Sequence, residues 1–203
     1  MNIAPRVAGL AATVLVVAAS AACQSSPQPA NEAESIFAGE IDVALAEARD
    51  ANASPEQIAT LEEIADTLIV TYEQAKVAAV ATVDCVLEAG GYGNYSESTL
   101  APGVPLPGFG IGSGTTDAEG NDQVADRCID QESMWVNMLY QTQPTVVAQV
   151  DAHRAAQLPE FIACVEDKGL EVPADADGDE VFKIALENLD SNTAPCFEVG
   201  GYT

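Results

Sequence analysis

The sequence predicts an all-α fold, a disulfide-stapled helical bundle with a long Gly/Pro-rich loop, placed after an N-terminal signal peptide. Three observations carry this. Ala, Val, Ile and Leu are plentiful while aromatic residues make up 5% of the 203 residues, a composition that favours helices. Apolar residues recur at three- and four-residue steps, the spacing of one helix face. Four of the five cysteines, Cys85, Cys128, Cys164 and Cys196, lie in the body of the chain and read as two disulfides formed in an oxidising compartment.

The N-terminus has the order of an export signal: a short region ending in Arg6, an uncharged stretch from Val7 to Ala19, then Ser20, Ala21 and Ala22 before Cys23. The apolar run is shorter than the about 20 residues a spanning helix needs. Residues 1–23 resemble bacterial lipoprotein signals, departing at Ser20, where Leu or Val is commoner. The resemblance implies cleavage after residue 22, with Cys23 carrying diacylglycerol and fatty acyl chains such as palmitate, and so anchoring the protein to the cell membrane. The alternative is cleavage at an Ala-x-Ala-like site, Ala19-Ser20-Ala21, which would leave a secreted chain with one spare thiol. Residues 23–31 are polar with two prolines and suit a tether.

Removing residues 1–22 takes away Arg6 and no acid, which moves the formal charge from -25 to -26. Such a charge disfavours nucleic acid, whose phosphates need Lys and Arg, and repels an anionic membrane surface. The domain from 32 to 203 is long enough for a real core.

Its first helix is expected from about Ala33 to Arg49, with Ile36, Phe37, Ile41, Val43 and Leu45 on the apolar face. Ser54-Pro55-Glu56-Gln57 is a start signal: Ser as N-cap, Pro at the first helical position and Gln placed to close a capping box. From there Ile58, Leu61, Ala65, Leu68, Tyr72, Ala75 and Ala79 keep helical spacing, which predicts one long helix. No charge lies between Lys76 and Asp84, so that half should be surrounded by other elements. Gly90 should end it, since glycine takes the left-handed cap conformation without steric cost.

Residues 91–116 are rich in Gly, Pro and Ser and read as a flexible loop, since loops of this length are usually functional or disordered. Gly108-Phe-Gly-Ile-Gly112 looks like a phosphate-cradling loop, but it contains no Lys or Arg and joins no predicted strand to a helix. A helix follows from near Asn121 to Gln141, with Val124, Cys128, Trp135 and Leu139 on one side and Trp135 packed beside Met138 and Leu139. Pro144 breaks it. The next helix carries Val146, Val147 and Val150, and Pro159 should kink or restart it before Phe161, Ile162 and Val165. A turn from Gly169 to Gly178 leads to a helix opened by Asp179-Glu180 and running through Leu189, then to a tail from Pro195 to Thr203. Nothing reads as a sheet.

Cys85-Val-Leu-Glu-Ala-Gly90 and Cys164-Val-Glu-Asp-Lys-Gly169 both put a cysteine one turn before a capping glycine and then lead to another cysteine. This is a weak duplication, with units 55–142 and 144–203. Four cysteines allow three connectivities; the duplication prefers Cys85 with Cys128 and Cys164 with Cys196. Phe161-Ile-Ala-Cys164-Val-Glu-Asp-Lys-Gly169-Leu-Glu-Val-Pro173, followed by Asp175, Asp177, Gly178 and Asp179, resembles a segment common in actinobacterial secreted lipoproteins of unknown function. That resemblance implies an extracytoplasmic compartment and helical character, and supplies no catalytic residues.

Candidate chemistry is sparse. Asp175-Ala-Asp177-Gly178-Asp179-Glu180 invites a calcium reading but fits the EF-hand pattern in neither register: from Asp175, Glu180 takes the glycine position, and with Gly178 sixth, Pro173 and Ile184 fall on ligand positions. A turn before an acidic helix start accounts for it. His153 is the only histidine, and with the body cysteines in disulfides little remains for a zinc site or a nucleophile–base pair. Glu62-Glu63 and Glu166-Asp167 are adjacent carboxylates that point apart on a helix, and Cys-x-x-Cys is absent. The sequence therefore predicts no enzyme, no metal and no cofactor. Its reading is a lipid-anchored extracytoplasmic helical module that binds a protein or other envelope component through the loop around residues 91–116, with a membrane-tethered small-ligand or cation binder as the alternative.

Overall fold

The computed structural model describes residues 30–117 and 122–202, and Cys23 with the expected signal peptide and most of the expected tether lies outside them. The first helix, α1 (Ala30–Asp50), buries Phe37, Ile41, Ala44 and Ala48. Their steps of four, three and four residues place them on one line. Ile36 and Val43, expected on that face, are 51% and 56% exposed.

The helix α2 (Pro55–Thr67) starts as read, with Ser54 Oγ accepting from the Gln57 backbone N–H at 3.1 Å. The capping box closes only in half, however. The Ser54 N–H donates to the Gln131 carbonyl, and the Gln57 side-chain amide donates to the Asp130 and Gln131 carbonyls. A tertiary contact has captured both groups.

The expected long helix is two. It stops at Leu68, which takes a left-handed conformation (φ 54°), and α3 (Tyr72–Glu88) starts afresh at Thr71. There the reciprocal box does form, Thr71 N–H to Gln74 Oε1 and Gln74 N–H to Thr71 Oγ1. Buried Gln143 holds the break open: its Oε1 accepts from Val70 N–H and its Nε2 donates to Val70 carbonyl. It thus satisfies two backbone groups that a helix would have paired internally. The uncharged half of α3 is covered on one side only: Ala78, Ala79, Thr82, Val83 and Val86 are buried, whereas Val77 is 67% exposed.

Gly90 (φ 85°) ends α3 with Gly91 N–H on the Val86 carbonyl and Gly90 N–H on the Leu87 carbonyl, the Schellman pattern. Beyond it the all-α expectation fails, and with it the flexible loop. Strands β1 (Tyr92–Ala101) and β2 (Val104–Gly112) form an antiparallel hairpin. Pro102-Gly103 makes the turn, and Gly103 has φ 83°, as the second central residue of a type II turn requires. A bulge between Thr99 and Ala101 precedes it.

Glycine is what makes β2 work. Gly108, Gly110 and Gly112 lie opposite Ser96, Asn94 and Tyr92, and a Cβ at Gly112 would stand 2.7 Å from the Tyr92 hydroxyl. The side chains of one β1 face therefore lie across a bare β2. This alternation at period two was masked by glycine's low strand preference.

The expected helix 121–141 is also two, α4 (Gln123–Glu132) and α5 (Met134–Thr142). Ser133 leaves helical geometry between them and its hydroxyl meets that of Thr82 at 2.6 Å, both buried. Trp135 and Leu139 are buried as expected, but Met138 is 39% exposed. In α6 (Pro144–Asp167) the helix continues through Pro159 instead of restarting. Proline removes the donor for the Ala155 carbonyl, and both residues are exposed, so water can take its place.

After a turn come α7 (Gly178–Glu187), capped by Asp177, and α8 (Ala194–Val199), a short helix where a tail was expected. Among the described residues no helix is long and apolar enough to cross a membrane. The described residues are thus mainly helical with one small hairpin.

Apolar packing falls into two cores, and α6 serves both. Phe37, Ile41, Leu61, Ile64, Trp135 and Leu139 with Val146 and Val150 make the larger. Phe161, Val165, Val181, Ala185 and Cys196 make the smaller, ringed by Phe182, Phe197 and Tyr202. Cys85 is bridged to Cys128 and Cys164 to Cys196, with Cα separations of 5.7 and 5.6 Å.

Candidate functional site

The hairpin is fastened to the helices at three points, each built from a polar side chain. On α3, Tyr72 donates to Glu97, and Tyr95 donates to the same carboxylate at 3.1 Å. Lys76 lies over the rings of Tyr72 and Tyr95, at 5.7 and 5.9 Å from their centroids. The hydrogen bonds from Tyr72, then Tyr95, hold the Glu97 carboxyl below its ordinary value, with Lys76 adding to the effect. The same bond to Glu97 pushes the Tyr72 phenol far up.

On α5, the Tyr140 hydroxyl donates to the Pro105 carbonyl at 2.7 Å, and burial raises its pKa. At the base of the hairpin, Asp122 accepts from the Ser113 backbone N–H, from the Ser113 hydroxyl at 2.7 Å and from Ala125 N–H at 3.1 Å. These donors, the Ser113 backbone first, lower the Asp122 pKa.

Two strands leave two outer edges, and they differ. Pro105 and Pro107 sit two apart on β2, opposite Thr99 and Glu97. Proline has no N–H, so these pairs cannot be the hydrogen-bonded ones, and both nitrogens face outward. The outer edge of β2 is short of donors, and Tyr140 covers part of it. The outer edge of β1 contains no proline, and Ser96, Glu97 and Ser98 on that strand are exposed.

Beside β2 runs a groove of about 520 Å³ against α4 and α5, lined by Pro107, Phe109, Ile129, Met134 and Met138 among others. Met134 and Met138 are 46% and 39% exposed; flexible thioethers suit an adaptable apolar contact.

Elsewhere the sequence candidates fall to structural roles. Asp177 Oδ1 caps α7 by accepting from Glu180 N–H at 3.0 Å. Glu62 pairs with Arg49 at 2.7 Å on the surface. His153 is half-buried against Gly201, where a Cβ would approach its ring to 3.2 Å. Among the described residues no group of three or more His, Cys, Asp or Glu is placed to hold a metal ion. The four body cysteines are all in bridges.

No family model, curated protein or solved structure matches the chain. The geometry must speak for itself. Sequence reasoning singled out the segment 91–116 but missed Tyr72, Tyr95, Glu97, Tyr140 and Asp122, which position it. The available signal was Asp122 ahead of an apolar helical run, an N-cap pattern; the tyrosines carried none.

Proposed function

We propose that this protein is a non-enzymatic, lipid-anchored extracytoplasmic module whose hairpin receives an extended segment of an envelope protein. The single observation that carries the reading is the asymmetry of the hairpin edges: β2 is blocked by Pro105, Pro107 and Tyr140, while β1 contains no proline and keeps an outward N–H at exposed Glu97. An extended peptide adding to such an edge gains main-chain hydrogen bonds, with side-chain contacts giving selectivity. The signal-like N-terminus with Cys23 supports membrane attachment, and the two disulfides support an oxidising compartment. The strong negative charge argues against nucleic acid as the partner.

Site-specific crosslinking in intact cells from Ser98, next to the open edge, tests this. Crosslinking to an envelope protein should persist in Glu97→Ala and disappear in Glu97→Pro, which removes an outward N–H. Equal crosslinking by the two variants would sink the reading. Mass spectrometry of the isolated protein checks the lipid on Cys23.

A further inference from the structure

Helix α1 carries two apolar stripes. Phe37, Ile41, Ala44 and Ala48 face the larger core, and on the opposite side Ile36, Gly39, Val43 and Ala46 are all exposed. The second set advances by three, four and three residues, the spacing of a seam between two packed helices. At its N-terminal end Ile36 opens onto a groove of about 610 Å³ against α6, lined also by exposed Val147. The segment ahead of α1, Gln24-Ser-Ser-Pro-Gln-Pro29, offers no large apolar side chain to cover this face.

Gly39 points the same way. A glycine inside a helix weakens it relative to alanine, so its presence calls for a reason. Gly39 lies in the middle of α1 without a positive φ, and a Cβ there would meet nothing within 4 Å among the described residues. Neither a turn nor crowding within the fold requires it. A bare position at the centre of a seam lets another helix come close, since the side chains at the contact set the distance between helix axes.

Charge selects the partner. Glu40 and Glu47 flank the seam on one side and Asp42 on the other, with Glu32 and Asp50 at its ends. Arg49, the only base of the helix, is held by Glu62 at 2.7 Å. A second copy of this chain would set these carboxylates against their own kind, and an anionic lipid surface would do the same. A helix with Lys or Arg beside its apolar stripe meets them with opposite charge.

We infer that this face of α1 is a docking site for a basic amphipathic helix of another protein, a mode in which an apolar helix face is received by an apolar groove. The apolar stripe of the partner packs on Ile36, Gly39 and Val43, a large side chain enters the groove beside Val147, and flanking Lys or Arg residues pair with Glu40, Asp42 and Glu47. The site lies on α1 and stands independently of the role proposed for the hairpin.

Titration of the isotope-labelled protein with a synthetic helical peptide, Leu at the seam positions and Lys beside them, tests the inference by NMR. The comparison peptides are a scrambled sequence of the same composition and one with Glu in place of each Lys. Saturable shifts of the Ile36 and Val43 methyls are expected with the patterned Lys peptide alone, weakening as salt is added. Gly39→Gln should raise the melting temperature, because helix propensity improves, yet weaken peptide binding at least tenfold. Val43→Lys, at an exposed position, should keep the fold and weaken binding as much. No saturable shift, equal binding of the scrambled or Glu peptide, or full binding by either variant would overturn the inference, as would self-association of the peptide-free protein that Val43→Lys abolishes.

Discussion

Two disulfide-closed segments, 85–128 and 164–196, begin in the same way and end in different surroundings. Each starts with a cysteine one turn before a Schellman ending. Gly90 and Gly169 have φ 85° and 83°, and the next N–H returns to Val86 or Val165 respectively. Each also contains an aspartate six residues before its second cysteine. Asp122 gathers Ser113 and Ala125, and Asp190 gathers Asn192 and Thr193. The contents then diverge. The first segment encloses the hairpin, whose Ala101 and Val104 join the large core alongside Ala75 and Ala78 of α3. The second encloses α7 and has only the small core, to which Cys196 belongs, whereas Cys128, equally buried, belongs to neither core. The same covalent device therefore assists an already supported region in one place and is part of the core in the other.

Removing each bridge tests that difference most strongly. The loops span 43 and 32 residues, and chain entropy gives each bridge about 4 kcal/mol, since the dependence on length is logarithmic. With equal losses, the remaining core decides the outcome. Cys164→Ala with Cys196→Ala should abolish the near-ultraviolet circular dichroism of the Phe161, Phe182, Phe197 and Tyr202 cluster while Trp135 fluorescence stays native. Cys85→Ala with Cys128→Ala should lower the melting temperature and leave both signals. Matching losses of structure in the two variants would break the comparison.

The shared helix endings give a smaller and more even effect. An added Cβ meets nothing within 4 Å at Gly90 or at Gly169, so only the left-handed backbone opposes a side chain. Gly90→Ala and Gly169→Ala should each destabilise by about 1 kcal/mol. Equal shifts in urea midpoint would sharpen the likeness, and a large excess at either glycine would show that the endings are not equivalent.

The aspartates give the smallest effect, visible as pH dependence. Backbone donors, Ser113 first for Asp122 and Thr193 first for Asp190, depress both carboxyls. Their contribution is present above the unfolded value of about 3.9 and is lost as pH falls through the lower folded values. NMR titration should place both midpoints below about 3.9, with exchange at the Ser113 and Thr193 amides accelerating as each carboxyl protonates. An ordinary midpoint for either aspartate would separate the two segments.

The same likeness was only partly legible beforehand. Cys85–Gly90 and Cys164–Gly169 could be matched by eye, and so could their preferred pairing. A third instance went unread: Cys196-Phe-Glu-Val-Gly-Gly201 ends α8 identically, with Gly201 at φ 74° and Tyr202 N–H on the Phe197 carbonyl. Thr71-Tyr-Glu-Gln74 was a readable start signal, but unbroken periodicity from Ile58 to Ala79 argued over it. For the proposed hairpin site, only the segment was visible; its anchors at Tyr72, Tyr140 and Asp122 come from elements distant in sequence.

What the sequence determined by itself was local: the start at Ser54 and, to within two residues, the one read at Asp179, the stops at Gly90 and Gly169, the helical majority and the acidic charge. These rest on one residue's own backbone preference or on partners within a turn. Tertiary structure decided where backbone groups found partners elsewhere. Gln143 held Val70 out of a helix, Gln131 and Asp130 drew Ser54 and Gln57 away from their box, and Tyr72 and Tyr140 turned a glycine-rich segment into a docked hairpin. A hydrogen bond made across the fold can outweigh a local preference worth about 1 kcal/mol or less, and the sequence does not show which distant residue will make it.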